Sequence, residues 1–483
     1  MRKYVLIQIL LFVFISVWAN EIDNFFPAAE LKTGILCSDE VFIRRTYLTL
    51  TGRLPQVEQV KAFLSSKKEL KRSELINQIL DSEEYIRYMQ MRWGDILRIK
   101  SEFPSNLWPN GVQAYNRWLY EKLASNTPYN NIVKELLLSK GSNFKSPAVN
   151  FYRAFLKKTP ENIYKNIDLL FLGNRNQSDD GAKCFSQIQY KKTKEWKEEI
   201  VFVDIHKNFY STSVTMPDKK VIQLNKGEDW RVGYLDWLTN KSNKRFSAVM
   251  ANRLWYWIFG QGIVNEPDDW GAHNPPSNPK LMDYLANQFV VLNYDMKAFS
   301  RLILNSKTYQ SLSTPTSNFV PQRLQAEIIV DALADITGIS DAYRSRVPEP
   351  FSFFPIGTRS VDLGDATVSS STLELFGRVS RDVSLESQRS NKLTSKQLLY
   401  LMNSSELEER LRKSVKLNFI CQNQKNIAGV CDEITLLILS RYASNEEKLL
   451  FKEFSVNNKL NLRDLATTIA WTQINSTEFL YNH

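Results

Sequence analysis

The chain is poor in the residues that most often carry chemistry. Its 483 residues include four cysteines and three histidines. The cysteines, Cys37, Cys184, Cys421 and Cys431, form neither CxxC nor CxxCH, which excludes the short redox and haem-attachment motifs. His206, His273 and His483 are too scattered for a multi-histidine metal site, so no metal is expected, and they leave little material for a Ser-His-Asp triad. No GxSxG, HExxH, phosphate loop or dinucleotide fingerprint occurs. Beyond residue 18 no apolar run approaches about 20 residues, the length needed to span a bilayer.

At the N-terminus, Met1-Arg2-Lys3 precedes an apolar run from Tyr4 to Trp18. Val17-Trp18-Ala19 meets the small-residue cleavage rule imperfectly, and the run is short for a spanning helix. The pattern predicts a signal peptide over 1–19 and a periplasmic or extracellular protein, held at a membrane only if that segment stays uncleaved. The net charge is +10, with the basic residues dispersed; Lys67-Lys68 and Lys191-Lys192-Thr193-Lys194 are short solvated runs. For an exported protein this charge points to anionic glycans or a membrane surface rather than nucleic acid, with other exported envelope proteins as the expected partners. In an oxidising compartment Cys421 and Cys431 could close a short loop, with Cys37 and Cys184 a second possible pair.

Helical periodicity dominates the rest. It predicts a mainly α chain: an N-terminal helical domain over 20–195, a β-hairpin or linker over 196–228, and a C-terminal helical domain over 229–483 with a long loop-rich insertion at 340–392. Glu199 to Val203 and Lys220 to Leu224 are the candidate strands, pairing as one hairpin. Leu80-Asp81-Ser82-Glu83-Glu84-Tyr85, Leu304-Asn305-Ser306-Lys307-Thr308-Tyr309 and Ile474-Asn475-Ser476-Thr477-Glu478-Phe479 share one capping grammar. The echo extends from 50–86 to 439–480, which predicts two copies of one helical unit.

The best-specified stretch is 246–310. A helix through Arg253 and Trp257 ends at Gly260, a loop carries Asp268, Asp269, Trp270 and His273, and Asn278-Pro279 and Asp295 open two further helices. Arg253 lies on a helix crowded with apolar residues, so its charge needs a carboxylate; Asp268 and Asp269 are the nearest in sequence. The expected outcome is a structural knot. The functional alternative is an acid–base or anion cleft in which Asp268 or Asp269 works with Arg253 and His273. Trp255, Tyr256, Trp257 and Trp270 offer aromatic faces to a carbohydrate, although on so dense a helix most belong to the core, leaving Trp270 as the one to test. Arg378, Arg381 and Arg389, with Glu386, are a second candidate anion site, against the expectation that they make separate surface and structural ion pairs.

Several of these segments together resemble a known family. Phe42-Ile43-Arg44-Arg45-Thr46-Tyr47 through Gly52-Arg53-Leu54-Pro55 is similar to its N-terminal signature. Asn252-Arg253-Leu254-Trp255 through Gly262, Asp268-Asp269, Asn274-Pro275-Pro276-Ser277, Leu304 to Tyr309, and Leu375-Phe376-Gly377-Arg378 with Glu386 and Arg389 are similar to its C-terminal signature. The family is the planctomycete-type, cytochrome-associated pair of domains of unknown function found in exported bacterial proteins. Many relatives carry CxxCH after a Phe-Leu-Gly like Phe171-Leu172-Gly173; here only Cys184 remains, so no covalent haem and no other cofactor is expected. The resemblance implies an exported protein of uncharacterised role. The expected role is a binding or scaffold component working with other exported proteins, in the setting of glycan processing. The alternatives are a glycan-active hydrolase or lyase using Asp268 or Asp269 with Arg253, and an electron-transfer component, which the missing CxxCH disfavours.

Overall fold

The structure, a computed structural model, describes residues 20–26, 36–175, 179–208, 210–313, 319–345, 347, 354–390 and 392–483. The expected signal segment lies outside them. The chain is mainly α. Among the described residues no helix is long and apolar enough to cross a membrane.

The first helices are α1 (Asp39–Thr51), α2 (Val57–Ser65), α3 (Lys71–Leu80) and α4 (Glu83–Ile96). They are followed by α5 (Pro109–Ala124), α6 (Tyr129–Leu138) and α7 (Pro160–Leu172). After the β segments come α8 (Trp230–Leu238), α9 (Lys244–Phe259), α10 (Pro279–Val291), α11 (Met296–Leu304), the single turn α12 (Lys307–Gln310) and α13 (Ala326–Thr337). The C-terminal part includes α14 (Val415–Asn423), α15 (Ile427–Leu439), α16 (Asn445–Asn457), α17 (Leu462–Ile474) and α18 (Thr477–Leu480). Among the described residues, the loop-rich stretch after α13 holds only short helical turns up to Gln388.

Among the described residues two hydrophobic cores form. One runs from α1 through α12; the other joins α13 to the C-terminal helices. Helices α1 and α4 serve both. Phe42, Ile43 and Tyr47 of α1 and Tyr85, Met89 and Trp93 of α4 face the first core, while Leu48, Tyr88 and Met91 face the second. Neighbouring residues on a helix point to different sides, so a helix apolar on two faces is a shared wall.

The capping echo is one geometry made three times. Ser82, Ser306 and Ser476 each accept from the backbone N–H three residues on, at 3.2 Å. Each hydroxyl also donates back to the carbonyl three residues earlier, at 2.6–2.7 Å. The element order around each is also shared. α1, α9 and α15 end at Gly52, Gly260 and Ser440 in the left-handed region, and two helices then lead to the serine cap. The central stretch is therefore a third occurrence beside the two read from sequence. In the outer two, the residue after the left-handed cap pairs with the Glu two places after the serine: Arg53 with Glu84 at 3.7 Å and Arg441 with Glu478 at 2.7 Å. α1 ties the units together. Arg44 donates to the carbonyls of Ile438 (2.8 Å) and Phe479 (3.1 Å), and Arg45 to those of Tyr309 (2.6 Å) and His483 (3.1 Å).

Ser440 makes this cap at φ +60° without being glycine, and its buried hydroxyl has no partner among the described residues. Ser440→Gly is expected to stabilise by about 1 kcal/mol, since it removes both the left-handed strain and the unsatisfied group. Gly52→Ala should do the reverse, because at φ +61° its Cβ would meet the Tyr88 ring at 2.7 Å. Chemical denaturation of both variants checks the pair of signs.

Two sequence expectations are corrected. Glu199–Val203 and Val221–Leu224 do not form one hairpin. The strands β1 (Gly141–Ser142), β2 (Ile188–Lys192) and β3 (Glu199–Val203) make a sheet with β3 central, and β4 (Thr212–Thr215) and β5 (Val221–Leu224) make a separate hairpin. β2 with β3 and β4 with β5 each pair across a short turn, the second stiffened by Pro217-Asp218, so local turn chemistry decides these pairings, while β1 joins β3 from a distant part of the chain. The cysteines are all free. Cys421 on α14 directs its thiol to the Leu462 carbonyl (3.6 Å), whereas Cys431 is buried in the core on α15, and Cys37 and Cys184 are buried too.

Candidate functional site

Arg253 is 1% exposed, at the centre of α9. Its Nη2 donates to Asp268 Oδ1 at 2.7 Å and to the Leu170 carbonyl at 3.2 Å. The other oxygen of Asp268 accepts from the backbone N–H of Glu386 at 2.6 Å. Burial works against the Arg253 charge, but Asp268 more than restores it and its pKa is raised. The expected knot thus forms with one aspartate rather than two. Asp269 faces the other way, toward Arg175 (3.6 Å) and His273 Nε2 (3.2 Å) at the surface. Its N–H donates to the Glu266 carbonyl, a turn that sends consecutive side chains apart. The two carboxylates therefore share no cleft, and an acid–base pair made from them is not assembled.

Trp270 is corrected as well. It is 6% exposed. Its Nε1 donates to the Pro267 carbonyl at 2.8 Å, its N–H to the Gly173 carbonyl at 2.8 Å, and the Arg245 guanidinium lies 4.7 Å from its ring centre. Gly173 sits at φ +64°, and a Cβ there would meet the indole at 2.5 Å. Trp255 and Trp257 are buried and Tyr256 is half-buried. None of these rings is a free platform.

The second arginine group does converge, but on carboxylates. Arg389 Nη2 lies 2.7 Å from Asp95 of α4 and its Nη1 2.9 Å from Glu327 of α13. Arg381 joins Asp95 at 2.9 Å, and Arg378 approaches Glu327 at 3.8 Å. Glu386 accepts from Trp257 Nε1 at 2.6 Å and lies 3.8 Å from Arg92. The pairs are linked and buried rather than separate and superficial. The whole set joins the two cores through the segment 376–390. Burial alone would raise the Glu327 carboxyl, but Arg389 and Arg378 outweigh it and hold it at about 2. Burial raises Glu386, and Arg92 only partly offsets this. Burial likewise lowers the Arg378 guanidinium to about 10 despite Glu327. With its carboxylates already in place, the cluster is no anion pocket, and Arg253 lies outside it, touching it only through Asp268 and Glu386.

An open site occurs elsewhere. A cleft of about 520 Å³ is lined by the loop ahead of α5, by Phe155 and Leu156, and by the β2–β3 turn. Phe103 is 71% exposed and Trp196, at the tip of that turn, 62%. Trp196 meets Trp108 edge to face, with centroids 4.8 Å apart. Lys197 Nζ lies 4.7 Å from the Trp108 ring and 5.7 Å from the Trp196 ring. Glu199 accepts from Arg153 (2.9 Å) and Lys158 (2.8 Å), and Glu198 from the hydroxyls of Ser142 and Thr193. Three lining residues, Asn106, Trp108 and Lys197, hold φ of +53°, +67° and +60°. Sequence reading missed the site because the loop and the turn are far apart in the chain. The available signal was Trp196, a large aromatic in a polar turn.

Residues 21–195 match the model of a domain described as a protein of unknown function (DUF1549), and residues 230–455 that of a second, also described as a protein of unknown function (DUF1553). No curated protein and no solved structure matches the chain.

Proposed function

The chain belongs to the planctomycete-type, cytochrome-associated family in which these two domains of unknown function are paired, and from that premise we propose that it is an exported binding component of the bacterial envelope, acting with other exported proteins in the handling of glycans. The observation that carries this reading is a division of labour among side chains. The charged residues that could run a reaction at the family signatures, Arg253, Asp268, Glu386 and Arg389, are buried and paired in a framework, while an open cleft elsewhere is lined by the exposed ring of Phe103 and the half-buried ring of Trp108. A framework held by buried ion pairs with an open cleft at its surface suits binding. Electron transfer through covalent haem has little support, because Cys184 is buried and stands without the second cysteine and the histidine such attachment needs.

Affinity purification of the full tagged chain from its native envelope tests the proposal. A fixed set of exported proteins or glycans should come with it, without a haem absorbance band and without release of reducing ends from the recovered glycan. Recovery of the chain alone, or turnover of the glycan, contradicts it.

A further inference from the structure

We propose that the cleft between Phe103, Trp108 and the β2–β3 turn binds a neutral oligosaccharide. This rests on the binding role just proposed and names its ligand class. A sugar ring presents a flat C–H face edged by hydroxyls. The cleft offers the complement: the exposed ring of Phe103 and the ring of Trp108, which Trp196 backs edge to face, with hydrogen-bonding groups at Lys192, Glu195, Glu198 and Lys197. Its volume, about 520 Å³, falls within the range of small-molecule sites.

Charge balance selects the class. The basic lining residues are Arg153, Lys158, Lys192 and Lys197, and the acidic ones are Glu195, Glu198 and Glu199. Arg153 and Lys158 are both engaged by Glu199. The remaining field is nearly balanced, which suits neither a polyanion nor a nucleic acid, although the whole chain carries +10. The carboxylates are built as acceptors. Burial pushes Glu199 up, but Lys158 and Arg153 outweigh it and hold it below the usual range; the Ser142 and Thr193 hydroxyls hold Glu198 below it. Both remain ionised at neutral pH, and neither offers the proton that glycoside hydrolysis requires. Trp196 and Lys197 pack against the Trp108 ring and order it before any ligand arrives, which lowers the ordering cost of binding.

The test uses the full chain and an array of defined oligosaccharides: hexamers of glucose, mannose and N-acetylglucosamine beside sulfated and uronate oligomers. Binding to one or more neutral hexamers is expected, quenching or shifting tryptophan fluorescence, with a Kd that changes less than twofold between 50 and 500 mM salt. Phe103→Ala, which removes an exposed lining ring, and Trp196→Ala, which removes the exposed ring packed against the lining Trp108, should leave folding unaffected and are each expected to weaken binding at least tenfold. Absence of binding to every neutral hexamer overturns the proposal. So does binding confined to acidic oligomers and lost at high salt, or binding that both alanine variants leave unchanged. Recovery of exported protein partners together with a silent array would remove this inference and leave the binding role standing. Hydrolysis of a bound hexamer would remove the binding role itself.

Discussion

Glu327→Gln is expected to destabilise the protein by about 3–5 kcal/mol, the usual cost of breaking one partner out of a buried ion cluster. The loss is large because two guanidiniums depend on that carboxylate. Arg389 donates to it at 2.9 and 3.3 Å, and Arg378, already lowered to about 10 by burial, has it as its nearest anion at 3.8 Å. Arg378→Met in the same chain should recover part of the loss by removing the charge left unpaired. Acid should act in the same direction. The Glu327 carboxyl stands at about 2 in the folded chain against an ordinary value of 4.5. A depressed carboxylate contributes stability above its unfolded pKa and loses it as pH falls through the folded one. About 3 kcal/mol should therefore disappear between pH 4.5 and 2, and the Gln variant should lack that part of the acid transition. Urea unfolding across this window measures both effects.

Asp168→Asn should do the opposite and stabilise the protein at alkaline pH. Asp168 is fully buried near the end of α7; one oxygen accepts from Asn174 Nδ2 at 3.0 Å, and the other has no partner among the described residues. Burial raises this carboxyl to about 7, with the Asn174 hydrogen bond and the Arg245 charge too weak to hold it down. A folded pKa raised above the unfolded value of 3.8 makes the native state the tighter proton binder, so stability falls as pH climbs from about 4 to 7 and then levels off. The span corresponds to about 4 kcal/mol as an upper figure. The neutral amide escapes that penalty but buries an extra donor, worth about 1–3 kcal/mol in the other direction. The variant should therefore be more stable than the wild type by about 2 kcal/mol at pH 8 and no more stable at pH 4. A difference independent of pH would show that Asp168 is not the titrating group.

How far the sequence could be read depended on whether a feature was local. Helix ends were legible, since Gly52, Gly260 and Gly338 stop helices by geometry that no distant residue alters, and Asn278 and Asp295 cap as their positions suggest. The need of Arg253 for a carboxylate was legible from its apolar helix. Which neighbour supplied it was not, because a turn sends Asp268 and Asp269 to opposite sides. Arg378, Arg381 and Arg389 find Asp95 and Glu327 only when the segment from Phe376 to Ser390 lies between α4 and α13, a placement that no local pattern announces. The same holds for Trp270, buried by Gly173 nearly a hundred positions away, and for the cleft, whose walls come from the loop ahead of α5, the segment ahead of α7 and the β2–β3 turn.

The central claim is that buried arginines on the 376–390 segment join two cores that already share α1 and α4. Differential scanning calorimetry of Glu327→Gln beside the wild type tests it most directly. The wild type should melt in one cooperative transition. The variant should melt in two, with the core that contains α13 and the C-terminal helices unfolding first. A single transition at an unchanged temperature in the variant would mean that the cores are held together without those ion pairs.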